Sequence, residues 1–186
     1  MLRAADVDVT LTSPTSCDVT MSLRVEGVSE IDHRIDGSAR GIELVRVDGA
    51  RQVGAVNTVG RTQSLVLRPE ESTYRIHYRA QIPDDRADRC PLWLPTISTD
   101  GLTRAVRLRV DLPSGMTSFE SMPALDWSGG RGEVTLGHLP SFVRVSYGPA
   151  GSARGWGIAQ TMDAVTVVII LIATAIWFLR RRRQTS

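Results

Sequence analysis

The chain has 186 residues, 42% of them hydrophobic, with 22 Lys+Arg against 20 Asp+Glu. That length holds one good core, or two small lobes, beside a membrane segment. All 22 basic residues are arginine, as a GC-rich bacterial genome would give; with Arg180–Arg183 set aside, 18 remain against 20 acids, a balance of −2. Those arginines alternate with acids and hydroxyls, which excludes a basic surface for nucleic acid.

Taken in order, the chain has a dominant period of two before residue 150. Val7, Val9 and Leu11 alternate with Asp8, Thr10 and Thr12, and Val19, Met21, Leu23 and Val25 with Asp18, Thr20, Ser22 and Arg24. Each run predicts a strand with one buried and one wet face. Pro14 to Cys17 is the turn between them. Glu30 to Arg40 is polar and reads as a loop crossing between sheets. Ile42–Val47 predicts a strand closed by Asp48-Gly49, a hairpin signal. Val53–Val59 and Gln63–Leu67 follow as strands about Gly60-Arg61. Thr73–Ile82 is the cleanest strand, with Tyr74, Ile76 and Tyr78 on one face and Arg75, His77 and Arg79 on the other. Arg104–Leu112 matches it, and Glu133–Leu136 with Phe142–Tyr147 predict a last strand pair about Pro140.

Between the two best strands, Pro83 to Leu102 breaks the alternation. It holds Cys90-Pro91 and then Leu92-Trp93-Leu94-Pro95. The apolar triplet must be packed against something. Either it plugs the core between two sheets, or Trp93, with Leu92, Leu94 and Pro95, is a contact for a partner, since buried aromatics anchor interfaces. Trp127 has the same two readings. Cys17 and Cys90 permit one disulfide outside the cytoplasm; two unpaired thiols are the alternative.

Residues 148–157, Gly-rich, predict a tether. Residues 158–179 follow, in which Ala164–Leu179 has no charge, Gly or Pro. At about 1.5 Å per residue the uncharged core spans roughly 24 Å, and extension back to Trp156 reaches the roughly 20 residues that a bilayer needs. Trp156 and Trp177 lie near the two ends, as interface aromatics do, and Arg180, Arg181, Arg182 and Arg183 close the segment. A transmembrane helix is predicted, with residues 180–186 a basic cytoplasmic tail and residues 1–147 an extracytoplasmic domain. An outward domain needs export, and Met1-Leu2-Arg3 runs directly into strand sequence. Either a signal lies upstream, or the helix is a tail anchor with reversed sidedness, or the N-terminus crosses by another route.

The sequence thus predicts an all-β, antiparallel β-sandwich ectodomain plus one C-terminal transmembrane α-helix. Signals for chemistry are isolated. His33, His77 and His138 sit in no metal-binding spacing, and Gly129-Gly-Arg-Gly132 reads as a hairpin turn instead of a phosphate loop. Asp84, Asp85 and Asp88 lack an EF-hand pattern. No cofactor, metal or small-molecule substrate is expected.

Cys90-Pro-Leu-Trp-Leu-Pro95, Thr103–Pro113 and Ser121-Met-Pro123 together resemble the non-catalytic N-terminal β domain of gluzincin aminopeptidases. Tyr74-Arg-Ile-His-Tyr78 resembles the Tyr-x-Ile-x-Tyr strand of bacterial membrane-anchored β-sandwich proteins. The resemblance covers about residues 73–123 and implies a β-sandwich. The His-Glu-x-x-His zinc motif is missing, so it implies no catalysis. The expected function is non-enzymatic: a single-pass protein of the bacterial membrane whose β domain binds a membrane-protein partner or serves as an accessory subunit. The alternatives are an envelope sensor that signals through a partner, and a hydrolase with a site assembled from Asp84, Asp85, His77 and His138.

Overall fold

Alternation of apolar and polar residues can be buried on one side only if the backbone is extended, because successive side chains then point to opposite faces. The computed structural model describes residues 1–36, 41–81, 89–99 and 105–150, and every regular element in them is a strand. β1 (Leu2–Ser13) and β2 (Ser16–Val25) form an antiparallel pair with Val9 opposite Val19. β8 (Thr73–Gln81) adds to β2, and β4 (Ile42–Asp48) adds to β8. On the other side β11 (Val106–Asp111) adds to β1, followed by β14 (Arg131–Leu136) and β13 (Asp126–Ser128). The outcome is a seven-stranded sheet ordered β13-β14-β11-β1-β2-β8-β4.

Two smaller sheets accompany it. In the second, β3 (Ile31–Asp36) lies between β10 (Leu94–Pro95) and β7 (Thr62–Pro69), and β7 also carries β5 (Ala50–Gln52) and β6 (Asn57–Val59). In the third, β15 (Phe142–Pro149) lies between β12 (Met116–Met122) and β9 (Arg89–Pro91). Residues 1–150 form one compact unit. Its core is continuous: Val9, Met21, Ile76 and Leu108 of the first sheet share one apolar cluster with Ile31, Ile35 and Leu65 of the second and Val143 and Val145 of the third.

The all-β, sandwich-like architecture agrees with the alternation, and six details differ. Of the expected strand Val53–Val59, only Asn57–Val59 is extended in a ladder. β1 and β11 are parallel, with Val7 opposite Leu108, so the large sheet is mixed. Glu30 to Arg40 is not a loop throughout, since Ile31–Asp36 is a strand whose Ile31, His33 and Ile35 are buried. A histidine on the inward face hid its period. Asp48-Gly49 turns a corner between sheets instead of closing a hairpin: β4 pairs with β8, whereas β5 pairs with β7. Gly49 holds φ at 72°, and a Cβ there would lie 2.7 Å from the Thr73 carbonyl oxygen, so the corner admits only glycine without strain. β14 and β15 do not pair; they belong to different sheets, and β15 takes Met116–Met122 as its neighbour. β15 also runs on to Pro149, into the first two residues of the expected tether. The Gly129-Gly130 turn does join β13 to β14, with Ser128 opposite Arg131.

Candidate functional site

The segment from Arg89 to Thr96 meets all three sheets. Proline has no N–H for a ladder, so Pro91 and Pro95 limit the strands here to three and two residues. β9 pairs with β15, with Val143 opposite Cys90, and β10 pairs with β3, with Leu94 opposite Arg34 and Pro95 opposite His33. Thr96 fixes the far end, donating from its N–H (2.7 Å) and its hydroxyl (2.9 Å) to the Asp32 carbonyl.

Between those strands Leu92 and Trp93 are fully buried. The Trp93 ring meets the edge of Tyr78 at 6.4 Å between centroids and 85° between planes. Tyr78 donates its hydroxyl to the Pro91 carbonyl at 2.8 Å, and burial pushes its pKa far up. Cys90 is joined to Cys17 of β2, with sulfurs at 2.20 Å and Cα atoms at 6.4 Å. One short segment thus fastens β15, β3, β8 and β2 together. Trp93 and Leu92 cannot touch a partner on this folded unit. They are the plug between sheets, because the apolar surface that covers them, Tyr78 included, belongs to the same chain. The Trp93 indole N–H has no partner among the described residues. Trp127 is half-buried, sits at the Ser121 hydroxyl (3.4 Å) and lies against Gly132.

Leu94 and Pro95 are half-buried, and Leu94 reaches an apolar groove of about 380 Å³ shared with Met122, Pro123, Leu139, Pro140 and Phe142. Met122 is 60% exposed there, and it differs from the other exposed apolar side chains, Val45 and Val59, in lying within this apolar groove. The guanidinium of Arg89 lies 5.2 Å from the centre of the Phe142 ring at one end, and His138 lines the groove. Of the four residues of the Trp93 loop, only Leu94 lines this surface. In the sequence Met122 reads only as part of the Ser121-Met-Pro123 turn and Phe142 only as the start of a strand, and nothing singles out Leu139. Their available signal was apolar residues beside Pro123 and Pro140 in stretches where a turn should be polar.

The histidines do not converge. His33 is fully buried, with Nδ1 at 3.3 Å from the Leu65 carbonyl and Nε2 at 2.8 Å from the Tyr74 hydroxyl. Burial lowers its pKa from 6.5 to about 4. His77 meets the Thr20 hydroxyl at 2.8 Å on the outer face of the large sheet. Among the described residues no group of three His, Cys, Asp or Glu side chains could hold a metal ion. Asp84, Asp85 and Asp88, the predicted span at 158–179, Trp156, Trp177 and Arg180–Arg183 lie outside the described residues.

No protein family and no curated protein matches the sequence. In fold, the chain is weakly similar to solved M1 zinc metallopeptidase structures. For one from Deinococcus radiodurans the identity is 15% and the TM-score 0.35, over 77% of this chain and 38% of that one. For an aminopeptidase N family protein from Idiomarina loihiensis the values are 13% and 0.38, over 70% of this chain and 27% of that one. The chain therefore spans well under half the length of these peptidases. The resemblance read from residues 73–123 recurs as a partial likeness of structure.

Proposed function

We propose that this is a non-enzymatic, single-pass membrane protein whose β domain is extracytoplasmic and binds a second membrane protein through the Leu94–Met122–Phe142 groove. The observation that carries the reading is Met122. A large apolar side chain at 60% exposure, inside a groove whose walls include Leu94, Leu139 and Phe142 with His138 among them, loses solvent-exposed area only when a partner covers it. The uncharged stretch Ala164–Leu179 and the arginines after it supply the anchor and its sidedness.

The test is a photo-crosslinker placed at Met122, with a second at Arg75 on the outer face of the large sheet, in the full chain within its own membranes. A discrete adduct with one membrane protein from position 122, and none from position 75, is expected. Recovery of the chain alone from both positions would sink the reading. The Met122→Glu variant should lose the partner while keeping its melting temperature, since the side chain is already in water.

A further inference from the structure

Among the described residues, one histidine lies wholly inside the apolar core. His33 projects from β3 in the second sheet, between Ile31 and Ile35 along the strand, toward Tyr74 on β8 of the first sheet. The Leu65 carbonyl can only accept, so Nδ1 carries the proton and donates to it at 3.3 Å. Nε2 is then the acceptor of the Tyr74 O–H at 2.8 Å, and the two rings meet edge to face at 5.7 Å. In this one neutral tautomer both ring nitrogens and the phenol are satisfied.

A second proton breaks that arrangement. Nε2–H would face the Tyr74 oxygen, the phenolic hydrogen would have to turn toward apolar side chains, and a full charge would sit in the core. Few groups around the ring offset this. Asp32, next on the strand, favours the charged form, as do the backbone at Ile31 and the Leu65 carbonyl. Arg34 is paired with Asp32 at 2.8 Å, and the residues in register with His33 on its neighbouring strands are the uncharged Leu65 and Pro95. From β8 the facing group is the Tyr74 phenol, whose own ionisation burial pushes well up, while Arg75 is exposed on the outer face. The proton is therefore taken up best when β3 parts from β8 and the ring reaches water.

β3 also carries one wall of the groove. Leu94 and Pro95 of β10 are in register with Arg34 and His33, and both Thr96 hydrogen bonds end on Asp32. We infer that His33 is an acid-released latch: neutral, it closes the second sheet on the first and holds the Leu94 wall of the groove; protonated, it frees β3 and β10 together. The effect on partner binding rests on the function proposed above, whereas the latch itself does not. The sign follows from linkage. Because burial lowers the pKa from 6.5 to about 4, the closed form binds fewer protons. Its full stability is present above pH 6.5 and is lost as pH falls toward 4. Between pH 7 and pH 5 the open fraction should rise roughly 20-fold.

Hydrogen exchange of the full chain in mild detergent, corrected for the intrinsic pH dependence, reads this directly. At pH 5 the amides of β3 and β10 should lose about that factor of protection relative to β1 and β2, and His33→Gln, which cannot titrate, should lose none. Unchanged protection in the wild type, or the same loss in His33→Gln, would overturn the latch. If the variant does not fold, the wild-type imidazole is followed by nuclear magnetic resonance. A ring neutral down to about pH 4.5 supports the latch, and titration near 6.5 refutes it. An intact latch with no crosslinked partner would leave the pH device standing and remove only its link to binding.

Discussion

Strand β8 and the segment Arg89–Thr96 each bury four side chains, but in different ways. In β8 they are Tyr74, Ile76, Tyr78 and Ala80, every second residue, while Thr73, Arg75 and Arg79 stay exposed. In the segment they are Cys90, Pro91, Leu92 and Trp93, four in a row. A strand has one apolar side and can be a layer; a run buried on every side must be surrounded by layers. The first kind of burial builds a sheet and the second holds sheets together. Removing a side chain should accordingly cost far more in the segment than in the strand.

The largest contrast is expected at Trp93. Trp93→Ala leaves a hole where the indole met Tyr78, with no strand of its own to close it, and should cost about 3–5 kcal/mol of unfolding free energy. Ile76→Ala in β8 should fall toward the low end of about 2–5 kcal/mol, because β2 and β4 on either side can close on the smaller side chain. Equal losses in denaturant titrations would show that the segment is ordinary core. The next effect is covalent. The Cys17–Cys90 bond closes a loop with a sequence separation of 73. On the chain-entropy account its loss destabilises by about 4 kcal/mol, seen as a lower unfolding midpoint for the Cys17→Ser, Cys90→Ser pair or on reduction. An unchanged midpoint after reduction would mean that packing of Leu92 and Trp93 alone holds the sheets.

The same contrast explains what was legible. β1, β2, β8 and β11 could be read from Val7 to Val110 because period two is a local property, visible without knowing any neighbour. Their order could not, since pairing β11 parallel to β1 depends on a crossover of about a hundred residues. β3 was missed because His33 stands where an apolar residue was expected, and it is buried there only through Leu65 and Tyr74, which lie 32 and 41 residues away. The groove was missed for a related reason. Leu94, Met122 and Phe142 come from β10, β12 and β15, each beside or within two residues of a proline and far apart in sequence, and only the third dimension brings them together. The residue that did announce itself, Trp93, proved to be structural. A lone aromatic between prolines signals burial, and the sequence does not say whether the covering surface belongs to the same chain or to another.

The smallest effect is expected on the outer face of the large sheet, which is laced with ion pairs. Arg131 holds Asp111 at 2.6 Å, Arg107 meets Glu133, and Arg79 meets Asp18 at 2.9 Å. In each pair the hydrogen bond to the carboxylate raises the arginine pKa. They lie in water, however, where screening and the entropy of two long side chains consume most of the attraction. Arg131→Gln should leave the melting temperature unchanged in moderate salt. A clear drop would mean that the charged face contributes to holding β14 on β11, and that the division between a self-sufficient sheet and a fastening segment is less sharp than the burial pattern implies. Raising the salt would then decide the cause: a loss due to charge shrinks as ions are added, and a loss due to the packed stem of the arginine does not.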